Sequence, residues 1–316
     1  MSITTSSLCP HCKNPLAPDD RYCPQCGFHV AWSARPHFWQ HLWWKVLLGG
    51  IVLYYLDMKS LALTGNPNLV PTVLILGASI VPVTFVIFLY ERGALYDVSL
   101  PTIAMTFLYG GVLGTLAANF LEEEVVRGAG IIAMLSVGVI EESAKLLGVV
   151  WLLRRREYAT ELHGLVLGAA AGMGFASLES MGYGFTYLLL SHGNLNVLGQ
   201  VLLTRGLLAP LAHGTWTAIV AGVLWRERKN GHFHLNRKVL GAFSLAVVLH
   251  ALWDWTAGAL PIDIETPGIV VRLSAVSVAI PALSLPIPAL IIGAIGLIVL
   301  WRLFREAKPL QRLAIV

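Results

Sequence analysis

The sequence predicts an all-α polytopic membrane protein of about eight transmembrane helices, with a small cysteine-bearing module at its N-terminus. Three observations lead there. Of 316 residues, 56% are hydrophobic and only 13% are charged, against about 25% charged in ordinary soluble domains. The apolar residues fall into segments of about 20, the length a helix needs to cross the hydrocarbon core. All four cysteines lie within the polar first thirty residues.

Taken in order, residues 1–8 are a Ser/Thr-rich tail, 9–29 the cysteine module and 30–37 a connection, followed by Trp39, Trp43 and Trp44. Clustered Trp beside His and Lys45 marks a membrane interface. Spans are expected at 42–63, 69–90, 100–121, 129–153, 162–190, 198–225, 238–260 and 284–304. The stretch 262–283 is apolar but holds Asp263, Glu265, Arg272 and several prolines, so it reads as a loop or re-entrant segment. The domains expected are therefore 1–30, a linker and interfacial segment at 31–41, and a membrane domain at 42–306.

Charge in the loops gives orientation. Arg154, Arg155 and Arg156 follow the fourth span, five basic residues from Arg226 to Lys238 follow the sixth, and Arg302, Arg305, Lys308 and Arg312 follow the eighth. The intervening loops carry Glu122 to Glu124, no charge, or Asp263 and Glu265. The positive-inside rule then places both termini in the cytoplasm. The polar start lacks the charged n-region and apolar core of a signal peptide, so the first span is expected to be an uncleaved anchor. The net charge of +4 is modest, and no basic run alternates with aromatics as nucleic-acid binding requires.

Cys9-Pro-His-Cys12 and Cys23-Pro-Gln-Cys26-Gly27 are two CxxC knuckles. Four thiolates suit one tetrahedral zinc with no open position, which makes the site structural or partner-binding. Two disulfides are the alternative pairing, disfavoured in a reducing cytoplasm.

The chemistry-bearing residues lie inside the spans. Glu141, Glu142 and Lys145 fall in the fourth, Glu179 in the fifth, Arg205 and His213 in the sixth, and His250 and Asp254 in the seventh. Each charge at the bilayer centre costs at least ~2.5–3.5 kcal/mol. Counting from the outer ends puts Glu142, Glu179, His213, His250 and Asp254 in one band roughly 10–22 Å deep. Small residues around Glu179 and His213 let these helices pack closely. Lys145 lies i+4 from Glu141 and i+3 from Glu142, on one face; the two carboxylates diverge by about 100°, so one is expected to pair with Lys145 while the other faces the site. Crowded carboxylates in low dielectric acquire spread proton affinities, the environment of a general acid or base.

The ordered set Glu141-Glu142-x-x-Lys145, Phe175-x-x-x-Glu179, His213 and His250-x-x-x-Asp254 resembles the PrsW family of intramembrane proteases, itself similar to the type II CAAX prenyl endopeptidases. The resemblance covers about 130–260. Glu179 stands where the CAAX enzymes have His, which favours the PrsW branch. The resemblance implies hydrolysis of peptide bonds in or near the bilayer, in a membrane protein or peptide substrate; the best-known substrate of the family is an anti-sigma factor. It implies that Glu141 or Glu142 polarises water, that Glu179 is an acid or metal ligand, and that His213 and His250 stabilise the oxyanion or bind metal. Asp254 would orient His250, Lys145 would hold the glutamate pair, and Arg205 would be a supporting residue. A catalytic zinc on His213, His250 and Glu179 and a metal-free glutamate mechanism both remain open.

Two other functions compete. Intramembrane acids and imidazoles also form proton relays in transporters, although no internal repeat or broken helix is evident. A catalytically inactive scaffold would bind membrane partners through the cysteine module. Glu122 to Glu124 read as a solvated outer turn, and His37, His41, His232 and His234 as interfacial or solvated residues.

Overall fold

The computed structural model describes residues 7–9, 12–17, 23, 25, 41–93, 95, 98–126, 130–153, 158, 160–229, 231–257, 277–280 and 283–314. Cys26, the 31–40 connection, Arg154 to Arg156 and the 262–276 stretch lie outside the described residues.

Nine α-helices occur among the described residues: α1 (Leu42–Thr64), α2 (Val70–Gly93), α3 (Leu100–Val125), α4 (Ile131–Leu153), α5 (Glu161–Leu190), α6 (Leu195–Leu208), α7 (His213–Arg226), α8 (Arg237–Ala257) and α9 (Ile287–Ala314). Helices α6 and α7 are two halves of one interrupted segment, so the helical segments number eight, and the chain is an integral multi-pass membrane protein. Seven are long and apolar enough to cross a membrane. The eighth, α4, has 23 residues, but Glu141, Glu142 and Lys145 sit in its middle.

Packing explains how such charges are tolerated. In the apolar 18-residue stretch of each of the two central spans, Glu161–Leu190 and Leu195–Arg226, 83% of residues are buried by protein, against 6% in that of Leu42–Thr64. Helix α5 is the hub, touching α2, α3, α4, α6, α7 and α9. Its sequence explains this. Gly164, Gly168 and Gly172 recur every four residues, hence on one face. A Cβ on any of them would come within 3.0 Å of the carbonyl oxygen of Ala221, Thr217 or His213 respectively. The α7 partners descend in number as the glycines ascend, so the two helices run antiparallel in near-backbone contact. Such contact between small residues is what associates helices where lipid removes the hydrophobic drive. On another face Gly174 abuts the Phe107 carbonyl and Gly111 of α3.

The interruption between α6 and α7 differs from the continuous span expected at 198–225. Residues Ala209–Leu211 form one 3-10 turn. Pro210 has no N–H to continue the helix, and Ala212 leaves the helical region at φ −110°, ψ −114°. Helix α7 then restarts at His213, with Thr215 and Trp216 N–H donating to the Ala212 carbonyl at 3.0 and 3.1 Å.

At the other end of α7, Glu227 accepts from Lys238 Nζ at 3.0 Å and Asn236 Nδ2 at 2.6 Å. The Lys238 hydrogen bond holds this carboxyl below its usual range. In the N-terminal module β1 (Ser7–Leu8) pairs antiparallel with β2 (Pro15–Leu16); separately, directly before α9, β3 (Ser277–Ile280) pairs antiparallel with β4 (Leu283–Pro286).

Candidate functional site

Four segments bring ionisable groups together in the interior. From α4, Glu141 and Glu142 are 6% and 1% exposed, and Lys145 is fully buried; His213 and His250 are 5% and 0% exposed. Charged groups this deep persist only when paired and hydrogen-bonded. Lys145 Nζ lies 2.9 Å from Glu141 Oε2, 2.9 Å from Glu142 Oε1 and 2.9 Å from His213 Nδ1. It also stands 3.9 Å from the centre of the Phe175 ring. Lys145 therefore serves both glutamates. The 100° divergence of the two side chains is closed by the long lysine reaching between them.

Donor and acceptor roles follow from this geometry. An ammonium has no lone pair, so His213 Nδ1 accepts from Lys145. The ring hydrogen then sits on Nε2, which faces Glu179 Oε2 at 3.1 Å. Glu179 is held from its other side by Arg205 Nη2 at 2.6 Å, while Arg205 Nε donates to Ser180 Oγ at 3.2 Å. The Arg205 guanidinium also stacks 4.0 Å over Tyr183.

His250 Nδ1 lies 3.1 Å from Glu142 Oε1, and Glu142 Oε2 accepts from Thr217 Oγ1 at 3.0 Å. Glu142 thus has both oxygens occupied. With Nδ1–H donated to Glu142, a neutral His250 carries its lone pair on Nε2. That atom is buried and makes no hydrogen bond; Glu141 Oε2 and Asp254 Oδ2, both acceptors when ionised, each stand 3.4 Å away. The carboxylate that orients His250 through Nδ1 is Glu142, and Asp254 lies on the Nε2 side. Asp254 is i+4 from His250, so its reach is set by the helix face, while Glu142 comes across from α4.

A donor atom each from Glu141, His213 and His250 lies within 4.8 Å of the others. One carboxylate and two imidazoles with an open fourth position is the donor set of catalytic zinc sites. His250 Nε2 makes no hydrogen bond, and its ring, oriented by Glu142 through Nδ1, supplies the carboxylate–histidine geometry of such sites. The residues present therefore fit a divalent metal, and Glu179 stands against His213 Nε2 rather than in the ligand trio. One competitor is in place: Lys145 already bonds Glu141 Oε2 and His213 Nδ1.

A cavity of about 40 Å³ opens beside His213, room for about three waters. It is walled by Ala176 and Ser180 of α5, Arg205 and Leu208 of α6, Ala209 and Ala212 of the interruption, and Trp253 of α8.

Two residues near the site were not singled out from the sequence, and a third was expected elsewhere. Thr217 lies one turn after His213, and only its position opposite Glu142 reveals it. Trp216, fully buried, packs its ring 5.0 Å from His250 and leaves Nε1 without a partner. Glu122, expected in a solvated turn, buries Oε1 without a partner and lies within electrostatic range of Glu141, Glu179, His250 and Asp254. The signal was available: three glutamates end a helix whose neighbours carry the site. Asp57 on α1 likewise buries Oδ2 without a partner.

In the N-terminal module Sγ atoms of Cys9, Cys12 and Cys23 lie within 4.8 Å of one another. Cys12 and Cys23 are 3.5 Å apart, not disulfide-bonded. The β1–β2 pairing and the Lys13 N–H bond to the Cys9 carbonyl at 2.9 Å shape the first knuckle.

A family model described as "PrsW family intramembrane metalloprotease" matches residues 98–284, and one described as "zinc-ribbon domain" matches residues 8–30. No curated protein and no solved structure matches the chain.

Proposed function

Since the chain belongs to the PrsW family of intramembrane metalloproteases, we propose that it hydrolyses peptide bonds of membrane-embedded or membrane-proximal substrates at the α4–α5–α7–α8 cluster. One observation carries the reading: His250, buried and oriented by Glu142, brings a ring nitrogen within 4.8 Å of donor atoms of Glu141 and His213.

Glu141, His213 and His250 hold the metal in this reading. A bound divalent metal supplies Lewis acidity, polarising a carbonyl and lowering the proton affinity of water. The chain's own residues do the rest. Glu142, locked by Thr217, fixes the His250 ring. Glu179, with 22% of its side chain exposed and lying near the cavity, takes the proton of the reacting water and returns it to the leaving amine. Arg205 supplies its counter-charge. Asp254 and Glu122 add negative charge around the site. Lys145 gathers Glu141, Glu142 and His213, and competes with a metal for two of its ligands. The bilayer is the second partner: the substrate reaches the cavity from within or along it.

The remaining assignments complete the proposal. Residues 1–30 form a cytoplasmic zinc ribbon on Cys9, Cys12, Cys23 and Cys26, open to a cytoplasmic partner. Residues 31–41 link it to a membrane domain at 42–306, with both termini cytoplasmic.

The test is metal content and cleavage on the same purified samples. Wild type should hold two zinc equivalents, one in the ribbon and one in the core. His250→Ala should lose the core equivalent. Glu179→Gln should keep it and lose about 10²–10⁴-fold in cleavage of a co-expressed single-span substrate, the scale of general acid–base catalysis. Undiminished cleavage by Glu179→Gln, or undiminished metal in His250→Ala, would refute the assignment. The interrupted sixth span is a feature transporters share; ion flux lost in Glu179→Gln, with no substrate cut by wild type, would favour that reading.

A further inference from the structure

The cavity beside His213 has walls whose chemistry selects what enters it. Three of its lining positions, Ala176, Ala209 and Ala212, present only a methyl group. Leu208 and Trp253 close it with apolar surface. Its polar wall residues are Ser180, Arg205 and His213; Ser180 and Arg205 are bonded to each other, and Arg205 and His213 both hold Glu179. Arg205 opposes any basic side chain, and an acidic one would have to compete with Glu179.

We propose that this cavity is a specificity subsite that receives one small aliphatic side chain of a membrane-spanning substrate, on a residue flanking the attacked bond. The inference rests on the hydrolase reading above and adds the substrate class to it. Size decides between aliphatic and aromatic occupants. Room for about three waters accommodates a side chain of about as many non-hydrogen atoms, since each displaces about one water. Ala, Ser and Val fit, while Leu, Phe and Trp exceed it. Position supports the same reading. Ala209 and Ala212 belong to the interruption that leads into His213, so a side chain seated there places its own backbone next to His213. Residues of this size are also compatible with a substrate segment that spans the bilayer.

The experiment uses full-length protein in liposomes with synthetic single-span peptides. Their central positions are drawn from Ala, Val, Leu and Phe, and products are mapped by mass spectrometry. Wild type should prefer Ala or Val over Phe by about 10–200-fold at one position flanking the cut, the range that a mismatched methylene in a pocket produces. Ala176→Leu, which narrows the cavity, should lower the Val-to-Ala ratio at that position by about tenfold or more. Leu208→Ala, which widens it, should raise the Phe-to-Ala ratio, so the inference does not hang on one variant folding. Indifference to Phe in wild type, or profiles unchanged in both variants while cleavage persists, would overturn the subsite alone. Failure of wild type to cut any peptide, with Glu179→Gln behaving identically, would overturn the hydrolase reading and the subsite with it.

Discussion

Lys145 bonds three buried groups at once, and its removal would leave Glu141 and Glu142 facing each other without a cation. Stripping one partner from a buried ion pair costs about 3–5 kcal/mol. Lys145→Met should therefore lower the thermal midpoint of the detergent-solubilised protein sharply. The triple variant Lys145→Met, Glu141→Gln, Glu142→Gln should recover most of the loss, because uncharged residues of similar volume need no counter-ion. A triple variant as unstable as the single one would show that the lysine acts by packing on Phe175 instead. Thr217 tests the orienting role of Glu142. Thr217→Val removes a hydrogen bond to a carboxylate, worth about 1.5–3 kcal/mol, and should reduce cleavage while Thr217→Ser restores it. At this scale the sequence exposed the acids and imidazoles, because ionisable groups inside apolar runs stand out. It hid Thr217 and Trp216, whose residue types are ordinary in such helices. It also hid the carboxylate on His250 Nδ1, because Glu142 comes from another helix, whereas Asp254, one turn away, stands on the Nε2 side.

Among the elements, α5 and the interruption after α6 set the geometry. The glycine face of α5 brings α7 close enough that His213 reaches both Lys145 on α4 and Glu179 on α5. Gly168→Val would drive a branched side chain into the Thr217 carbonyl region, and overpacking of this kind typically costs about 1–3 kcal/mol. Because Thr217 and His213 share α7, the expected result is a large loss of cleavage with no ionisable group altered. Wild-type cleavage at wild-type stability would mean that α7 is positioned by other contacts. The glycine spacing was legible as a close-packing signal. The interruption was not, although Pro210 was in plain view. Pro is tolerated within membrane helices when neighbours satisfy the freed groups, as Pro82 inside α2 shows. What distinguishes Pro210 is the tertiary setting, with α7 anchored separately against α5.

Across the whole molecule, the site and the peripheral elements separate. Helix α1 packs mainly on α2 and joins a small cluster with Leu188, Leu198 and Leu202 at one end, and the PrsW match starts at residue 98. The zinc-ribbon match, residues 8–30, precedes α1 and lies outside the PrsW match. A variant with Cys9, Cys12, Cys23 and Cys26 all changed to Ser should therefore lose one zinc equivalent and keep the other. It should cleave the randomised single-span peptides at the wild-type rate, because those peptides present nothing for a ribbon to hold. A difference should appear only with a substrate that also carries a cytoplasmic domain, as a rise in KM with kcat unchanged, the pattern of lost uniform binding. Loss of both zinc equivalents, or a fall in kcat on the bare peptides, would instead tie the ribbon to the architecture of the membrane core.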